Sequence, residues 1–151
     1  MDLGLLFRMR LVLITTHSSQ VVKALGFDSI RILTIDDGIR RLEETNAQCL
    51  PTLSYNEINY IAFHDVTEEY HNELFGYIEA NHQLQAYESG KPTMRYIEKR
   101  NDGSFKQRQC TLTKYIRHQI HHPENTCNVH FSVQQLEQSI ELMRQFILRI
   151  H

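Results

Sequence analysis

The clearest hydrophobic pattern lies at the C-terminal end of the chain. Apolar residues recur there three and four positions apart, as they do along one face of a helix. Ser132 stands just before the pattern, where a hydroxyl can accept a hydrogen bond from the first helical turn. The pattern predicts an amphipathic helix that begins after Ser132 and runs to the end. Its apolar members are Val133, Leu136, Ile140, Met143, Ile147 and Ile150.

Three further helices are predicted in the middle of the chain. Ser54 with Glu57 three positions later is a capping box and predicts a short helix. Residues 67–88 have a helical apolar face and predict a longer one. Thr111 or Thr113 is expected to cap a third. The apolar face of 67–88 consists of Tyr70, Leu74, Tyr77, Ile78 and Leu84.

Shorter apolar runs predict strands. Residues 10–16 form a continuous apolar run, typical of a strand covered on both faces. A short helix should follow, capped by Ser18 or Ser19 and ending near Gly26. Residues 29–35 alternate and predict a second strand.

Two turn signals predict hairpins or their alternatives. After Asp36-Asp37-Gly38, residues 39–44 fit either a hairpin partner or the start of a helix. Residues 94–109 predict a hairpin around Asn101-Asp102-Gly103.

These elements predict an α+β, mostly helical chain in two parts. Residues 1–50 would be a short α/β segment, and residues 51–151 a small helical bundle with a hairpin. The strand at 10–16 needs neighbouring strands to cover it, and the rest of the chain does not supply enough of them. The first part therefore looks like the remnant of a larger sheet.

Composition narrows the class of protein. The chain has 151 residues and a formal net charge of −2, so no overall positive field attracts nucleic acid. No apolar run reaches the roughly 18 residues of a membrane span. Cys49, Cys110 and Cys127 form no paired motif and are expected to be reduced. We expect a cytoplasmic protein without membrane contact.

A histidine cluster carries the candidate chemistry. Four of the nine histidines lie within residues 113–130, together with Arg117. Pro123 disfavours a helical His122, so the helix should end near His121 and let His122 swing back towards the guanidinium. An imidazole can move protons near pH 7, and a guanidinium holds a phosphate. That pair suits cleavage of RNA, in which attack by the 2′-OH leaves a 2′,3′-cyclic phosphate.

The run from Arg117 to His122 resembles the HEPN ribonuclease motif, an Arg, a polar residue, three more residues and a His. The resemblance implies a helical bundle that acts as a metal-independent RNA endonuclease in toxin or anti-phage defence systems. Arg117 and His122 would be catalytic, and His118, His121 and Asn125 would support them. RNA would be the substrate, and a second copy could complete the cleft. No DNA specificity is expected.

The stretch Thr15-Thr16-His17-Ser18, and the region after residue 50, resemble the C-terminal end of bacterial defence-type ABC or AAA ATPases of the overcoming-lysogenization-defect and SMC-like kind. In that family the histidine reaches the γ-phosphate, so His17 would bind nucleotide only in an assembled ATPase. The nearest match to a P-loop has Gln85 and Pro92 where Gly and Ser or Thr belong. We expect no cofactor and no ATPase activity from this chain alone.

Other interpretations remain open. The alternative function is a non-enzymatic module that binds or regulates an ATPase head. Basic side chains at a helix C-terminus also complement the helix dipole, so the cluster fits a structural cap. A zinc site is a further alternative, although we expect no metal. Its ligands would be His121, His122, Cys127 and His130.

Overall fold

The computed structural model describes residues 12–25, 29–44, 48–100 and 102–150. This part has an α+β architecture, as predicted, with helices outnumbering strands. The strands form two separate antiparallel hairpins. In chain order the elements are α1 (Ser19–Leu25), β1 (Arg31–Asp36), β2 (Ile39–Glu44), α2 (Tyr55–Phe63), α3 (Glu68–Ala80), α4 (Leu84–Glu88), β3 (Thr93–Lys99), β4 (Phe105–Thr111), α5 (Leu112–His121) and α6 (Val133–Ile150).

The prediction of a strand at residues 10–16 is wrong for residues 12–16, which the structure describes. Residues 12–18 adopt no regular secondary structure, and Val12, Leu13 and Ile14 are exposed. A strand needs a neighbour for its backbone hydrogen bonds, and no described strand pairs with this stretch. The helix that follows is present as α1. Residues 10 and 11 and the helix end expected at Gly26 lie outside the described residues.

The segment after the first turn signal is a hairpin partner. β2 pairs with β1 in a register that places Leu33 opposite Leu42. Asp37 and Gly38 form the turn with φ of 50° and 77°. Two positive φ angles in succession match the twist of the flanking strands, which favours a hairpin over a helix start.

The long helix predicted over residues 67–88 is divided in two. Thr67 caps α3, whose first turn it satisfies by accepting from Tyr70 N at 3.2 Å. The helix ends at Ala80, where the Asn81 side chain donates to Tyr77 O at 2.8 Å. His82 then takes a φ of 57° before α4 begins. Asparagine competes for backbone groups, and this explains why the apolar pattern continues while the helix does not.

The second hairpin, β3–β4, is confirmed, with Asp102 and Gly103 in its turn; Asn101 lies outside the described residues. One side of the hairpin packs on α5. Tyr96, Cys110 and Tyr115 form that small buried cluster.

The main core lies between α3, α5 and α6. The stripe predicted on α6 is confirmed at Leu136, Ile140, Met143 and Ile147, whereas Val133 and Ile150 are exposed. Cys49 and Leu50, the last two residues of the first part expected at 1–50, pack into this core. No helix in the described part combines the length and apolar character needed to cross a bilayer.

Candidate functional site

The candidate site is a pocket between the end of α5 and the β3 strand. Its volume is about 360 Å³. α5 contributes His118, and the turn after it contributes His122. The hairpin and the loop after α5 supply the remaining wall, formed by Tyr96, Glu98, Lys99, Arg100, Glu124 and Asn125.

The end of α5 places both histidines. The helix ends at His121 as predicted, and Thr111 caps its start. His122 has φ −130° and ψ 60°, and its N–H donates to His118 O at 2.9 Å. Pro123 disfavours the helical conformation at His122, and the chain turns there. His118 and His122, four positions apart, therefore both line the pocket.

His118 is held by aromatic contacts. Its ring stacks on Tyr96 with centroids 5.0 Å apart and an angle of 23°. Tyr96 is buried and packs edge-on against Tyr115. Partial burial of His118, and next the charge of nearby His122, lower the pKa of His118. The neutral imidazole is therefore favoured near pH 7.

His122 is paired with a carboxylate. Its Nδ1 lies 3.2 Å from Glu124 Oε1, and both side chains are more than half exposed. When Nδ1 carries the proton, this contact orients the ring and leaves Nε2 available to a substrate.

Two asparagines fasten the loop to β3. Asn125 Nδ2 donates to Ile97 O at 2.7 Å and to Tyr96 Oη at 3.0 Å. Asn128 donates to Ile97 O at 2.9 Å and accepts from Ile97 N at 2.7 Å. Asn125 thus lines the pocket, but its amide nitrogen is engaged with protein atoms, and it positions His122 and Glu124 against the hairpin.

Arg117 and His121 lie on another side of α5. Arg117 Nη1 donates to Asn72 Oδ1 on α3 at 2.6 Å, and the guanidinium stands 5.1 Å from the Phe75 ring centroid. Slight burial, then the charges of Arg117 and His122, lower the pKa of His121. Neither Arg117 nor His121 is among the described residues that line the pocket. The structure joins His118 with His122 and leaves Arg117 at α3.

The zinc alternative finds no support in the part of the chain that is described. No group of three or more His, Cys, Asp or Glu side chains there is placed to hold a metal ion. His130 Nδ1 lies 2.9 Å from Phe131 O, and exposed Cys127 lines a different cleft. His130 and Cys127 therefore lie in surroundings different from that of His122 in the pocket.

Charged residues of the hairpin surround the histidines. Glu98 pairs with Arg108 at 2.7 Å, whereas Lys99 and Arg100 are exposed at the pocket wall. Sequence reasoning missed Tyr96, Lys99, Arg100 and Glu124 as site residues. The sequence pattern predicted the hairpin but did not predict that the hairpin packs on α5.

His17 is exposed in the irregular stretch before α1. Its expected nucleotide contact requires an assembled ATPase, so that role stays a prediction.

His71 lies in the core. Its Nε2 is 3.0 Å from Ser139 Oγ, which donates to Thr113 Oγ1 at 2.8 Å, and Tyr87 Oη is 2.7 Å from the same Thr113 atom. Burial, and next the charge of Arg117, lower the pKa of His71 to about 3. Because His71 is fully buried, this chain of hydrogen bonds organises the interior and is not open to a substrate.

Comparison with protein-family models, curated proteins and solved structures finds no match to this chain.

Proposed function

We propose that the protein is a metal-independent RNA endonuclease whose active site is the pocket between α5 and β3. The observation that carries the proposal is the placement of two imidazoles, His118 and His122, in one pocket beside two exposed cations, Lys99 and Arg100. The segment that resembles the HEPN ribonuclease motif also includes His122. Two groups that exchange protons near pH 7, next to positive charge, suit cleavage of a phosphodiester.

The different surroundings of the two histidines suggest different roles. Neutral His118 would accept the proton of the ribose 2′-OH as that oxygen attacks phosphorus. His122, whose ring is oriented by its contact with Glu124, would donate a proton to the departing 5′-oxygen. The phosphorus–5′-oxygen bond breaks and a 2′,3′-cyclic phosphate remains. Lys99 and Arg100 would hold the phosphate and the negative charge that develops on it.

RNA cleavage by single-site variants tests these roles. His118→Ala and His122→Ala should each slow cleavage about 10²- to 10⁴-fold, since each removes a proton-transfer group. Cleavage should persist in a chelator, give a cyclic phosphate end and spare DNA of the same sequence. His130→Ala is a matched control, because His130 lies outside the pocket lining. Full activity in both pocket variants would reject the proposal.

A separate pair of variants tests the role of Arg117. Sequence reasoning makes it the phosphate-binding cation, whereas its contact with Asn72 suggests that it fastens α5 to α3. Arg117→Lys and Asn72→Ala distinguish the two roles. An anchoring role predicts that both variants lose thermal stability to a similar degree. A phosphate-binding role predicts that Arg117→Lys alone loses activity, with its stability unchanged.

A second candidate function is a module that binds an ATPase head. It is favoured by the β1–β2 hairpin, where Leu33, Ile35 and Leu42 are 61–70% exposed on one side. Exposed apolar side chains grouped on a sheet often mark a protein contact. Coexpression with an ATPase head encoded next to this chain, followed by gel filtration, would test this second function. Leu42→Glu should release the complex, and an unchanged complex would exclude this surface.

A further inference from the structure

The side of the β3–β4 hairpin that faces away from α5 carries a second cleft. We call this side the outer face; it consists of Arg95, Ile97 and Lys99 of β3 and Phe105, Gln107 and Gln109 of β4. Alternate residues of a strand point to opposite sides, and Tyr96 and Cys110 are buried on the side towards α5. The outer cleft has a volume of about 370 Å³ and is lined by Arg95, Ile97, Phe105, Gln107 and Cys127.

An exposed aromatic ring dominates this face. Phe105 is 61% exposed, although it lies at the start of a regular strand. Lys99 is its direct partner across the hairpin. A cation beside an exposed ring matches what a single-stranded nucleic acid needs, a flat surface for a base and a positive charge for the adjoining phosphate.

The charge of the hairpin differs from that of the whole chain. Residues 93–111 contain five basic and two acidic side chains, a surplus of three positive charges, whereas the chain has a formal net charge of −2. The outer face itself holds Arg95 and Lys99 and no acidic side chain. An anionic partner is therefore favoured at this hairpin.

The outer face is continuous with the histidine pocket. Lys99 lines that pocket and is also the cross-strand partner of Phe105. A single-stranded RNA with a base stacked on Phe105 can therefore pass Lys99 and bring its next phosphates to His118 and His122. Duplex RNA keeps its bases stacked inside, so it cannot offer a face to Phe105.

We propose that the outer face of the β3–β4 hairpin binds single-stranded RNA, with a base stacked on Phe105 and phosphates held by Arg95 and Lys99. The proposal rests on the proposed nuclease function for the choice of RNA. It adds a binding surface for nucleotides beside the cleaved bond. Gln107 and Gln109 can donate and accept hydrogen bonds at base edges.

Binding of an uncleavable probe tests the surface without requiring catalysis. The probe is a fluorescent single-stranded 2′-O-methyl RNA, with a duplex of the same sequence for comparison. The full chain should bind the single strand more tightly than the duplex. Phe105→Ala should weaken binding roughly 5- to 150-fold, the usual range for loss of one stacked base. Phe105→Tyr should restore binding, since it keeps the ring.

Charge variants give an independent readout. Arg95→Gln should weaken binding and reduce the dependence of log K on log salt by about 0.7, the value for one phosphate contact of a single strand. Arg40→Gln, an identical change at an exposed site on the other hairpin, should leave both quantities unchanged. Circular dichroism during heating verifies that the variants stay folded.

The outcomes separate this inference from the proposed function. Binding that depends on Phe105 and Arg95, without RNA cleavage, supports the surface and rejects the nuclease. Cleavage that depends on His122, with unchanged binding in Phe105→Ala and Arg95→Gln, overturns the surface and leaves the nuclease standing. A chain that binds no oligonucleotide, or binds duplex equally well, also overturns the surface.

Discussion

His71, His118 and His122 are the same residue type in three different surroundings. His71 is buried among hydrogen-bonding neighbours, His118 is half-buried against Tyr96, and His122 is exposed beside Glu124. Removing an imidazole from water penalises its charged form, so burial lowers the pKa of His71 to about 3. The chemistry available to each histidine therefore follows from its burial and its partner.

The first prediction concerns acid stability. Folded His71 takes up a proton only near pH 3, whereas an unfolded histidine does so near its usual pKa of about 6.5. The unfolded state therefore binds more protons throughout this window, and stability falls as the pH falls. Between about pH 7 and pH 5, His71 alone should lower the free energy of unfolding by about 2 kcal/mol. Urea unfolding at several pH values measures this loss.

His71→Gln is the matched variant for that measurement. Glutamine stays neutral and can donate to Ser139, so it removes the titration and keeps a hydrogen-bond donor. Burial lowers the pKa of His118 and His121 in the same direction, so the relevant quantity is the difference in pH dependence between the two proteins. Equal pH dependence in both would show that His71 is not the source.

Helices and strands begin and end at local signals. Ser54 accepts from Glu57 N at 3.0 Å and starts α2, and Thr67 does the same for α3. Glu57 does not complete the expected capping box. Its carboxylate instead accepts from Cys49 N at 2.6 Å and pairs with Arg144. Ser54 therefore caps the helix as the box predicts, whereas the Glu57 side chain makes its contacts in the core.

The second prediction concerns the start of α2. Ser54→Ala removes the acceptor for Glu57 N and also the bond from Ser54 Oγ to Glu73 Oε2. It should destabilise the protein by about 0.5–2 kcal/mol, the usual cost of a lost cap. Ser54→Thr keeps the hydroxyl and should cost less. Denaturant unfolding compares the two, and equal losses would mean that the hydroxyl does not stabilise the helix.

At the scale of the molecule, a buried ion pair ties distant segments together. Arg144 on α6 lies 3.2 Å from Glu57 on α2, and both are almost fully buried. The same arginine donates to Tyr70 of α3. This network connects α2, α3 and α6 through the core, where an unpaired charge would be costly.

The third prediction tests that network by a double-mutant cycle. Arg144→Met leaves Glu57 without its charged partner and should cost about 3–5 kcal/mol. Adding Glu57→Gln removes the unpaired charge and keeps an acceptor for Cys49 N, so it should recover part of the loss. Glu141→Gln is the control, because Glu141 is 49% exposed and 3.9 Å from Arg144. If the effects of Arg144→Met and Glu57→Gln on the free energy of unfolding simply add, the two side chains are not coupled and the network is contradicted.

Short-range patterns were sufficient for much of the architecture. Ser54, Thr111 and Ser132 precede helices, Asp37-Gly38 and Asp102-Gly103 turn hairpins, and Pro123 ends α5. These signals act within about four residues, so the sequence alone contains them. The run at 12–16 failed because a strand also needs a partner, and apolar composition does not provide one.

The sequence by itself determined where most elements lie and that His118 and His122 stand at the end of one helix. Only the tertiary structure decided what those residues meet. Docking of β3 on α5 brings Tyr96, Lys99 and Arg100 to the histidines, and packing of α3 takes Arg117 to Asn72. Glu57 finds Arg144 across 87 positions. Such contacts depend on how apolar faces pack, and a local pattern specifies the face of a helix without specifying its neighbour.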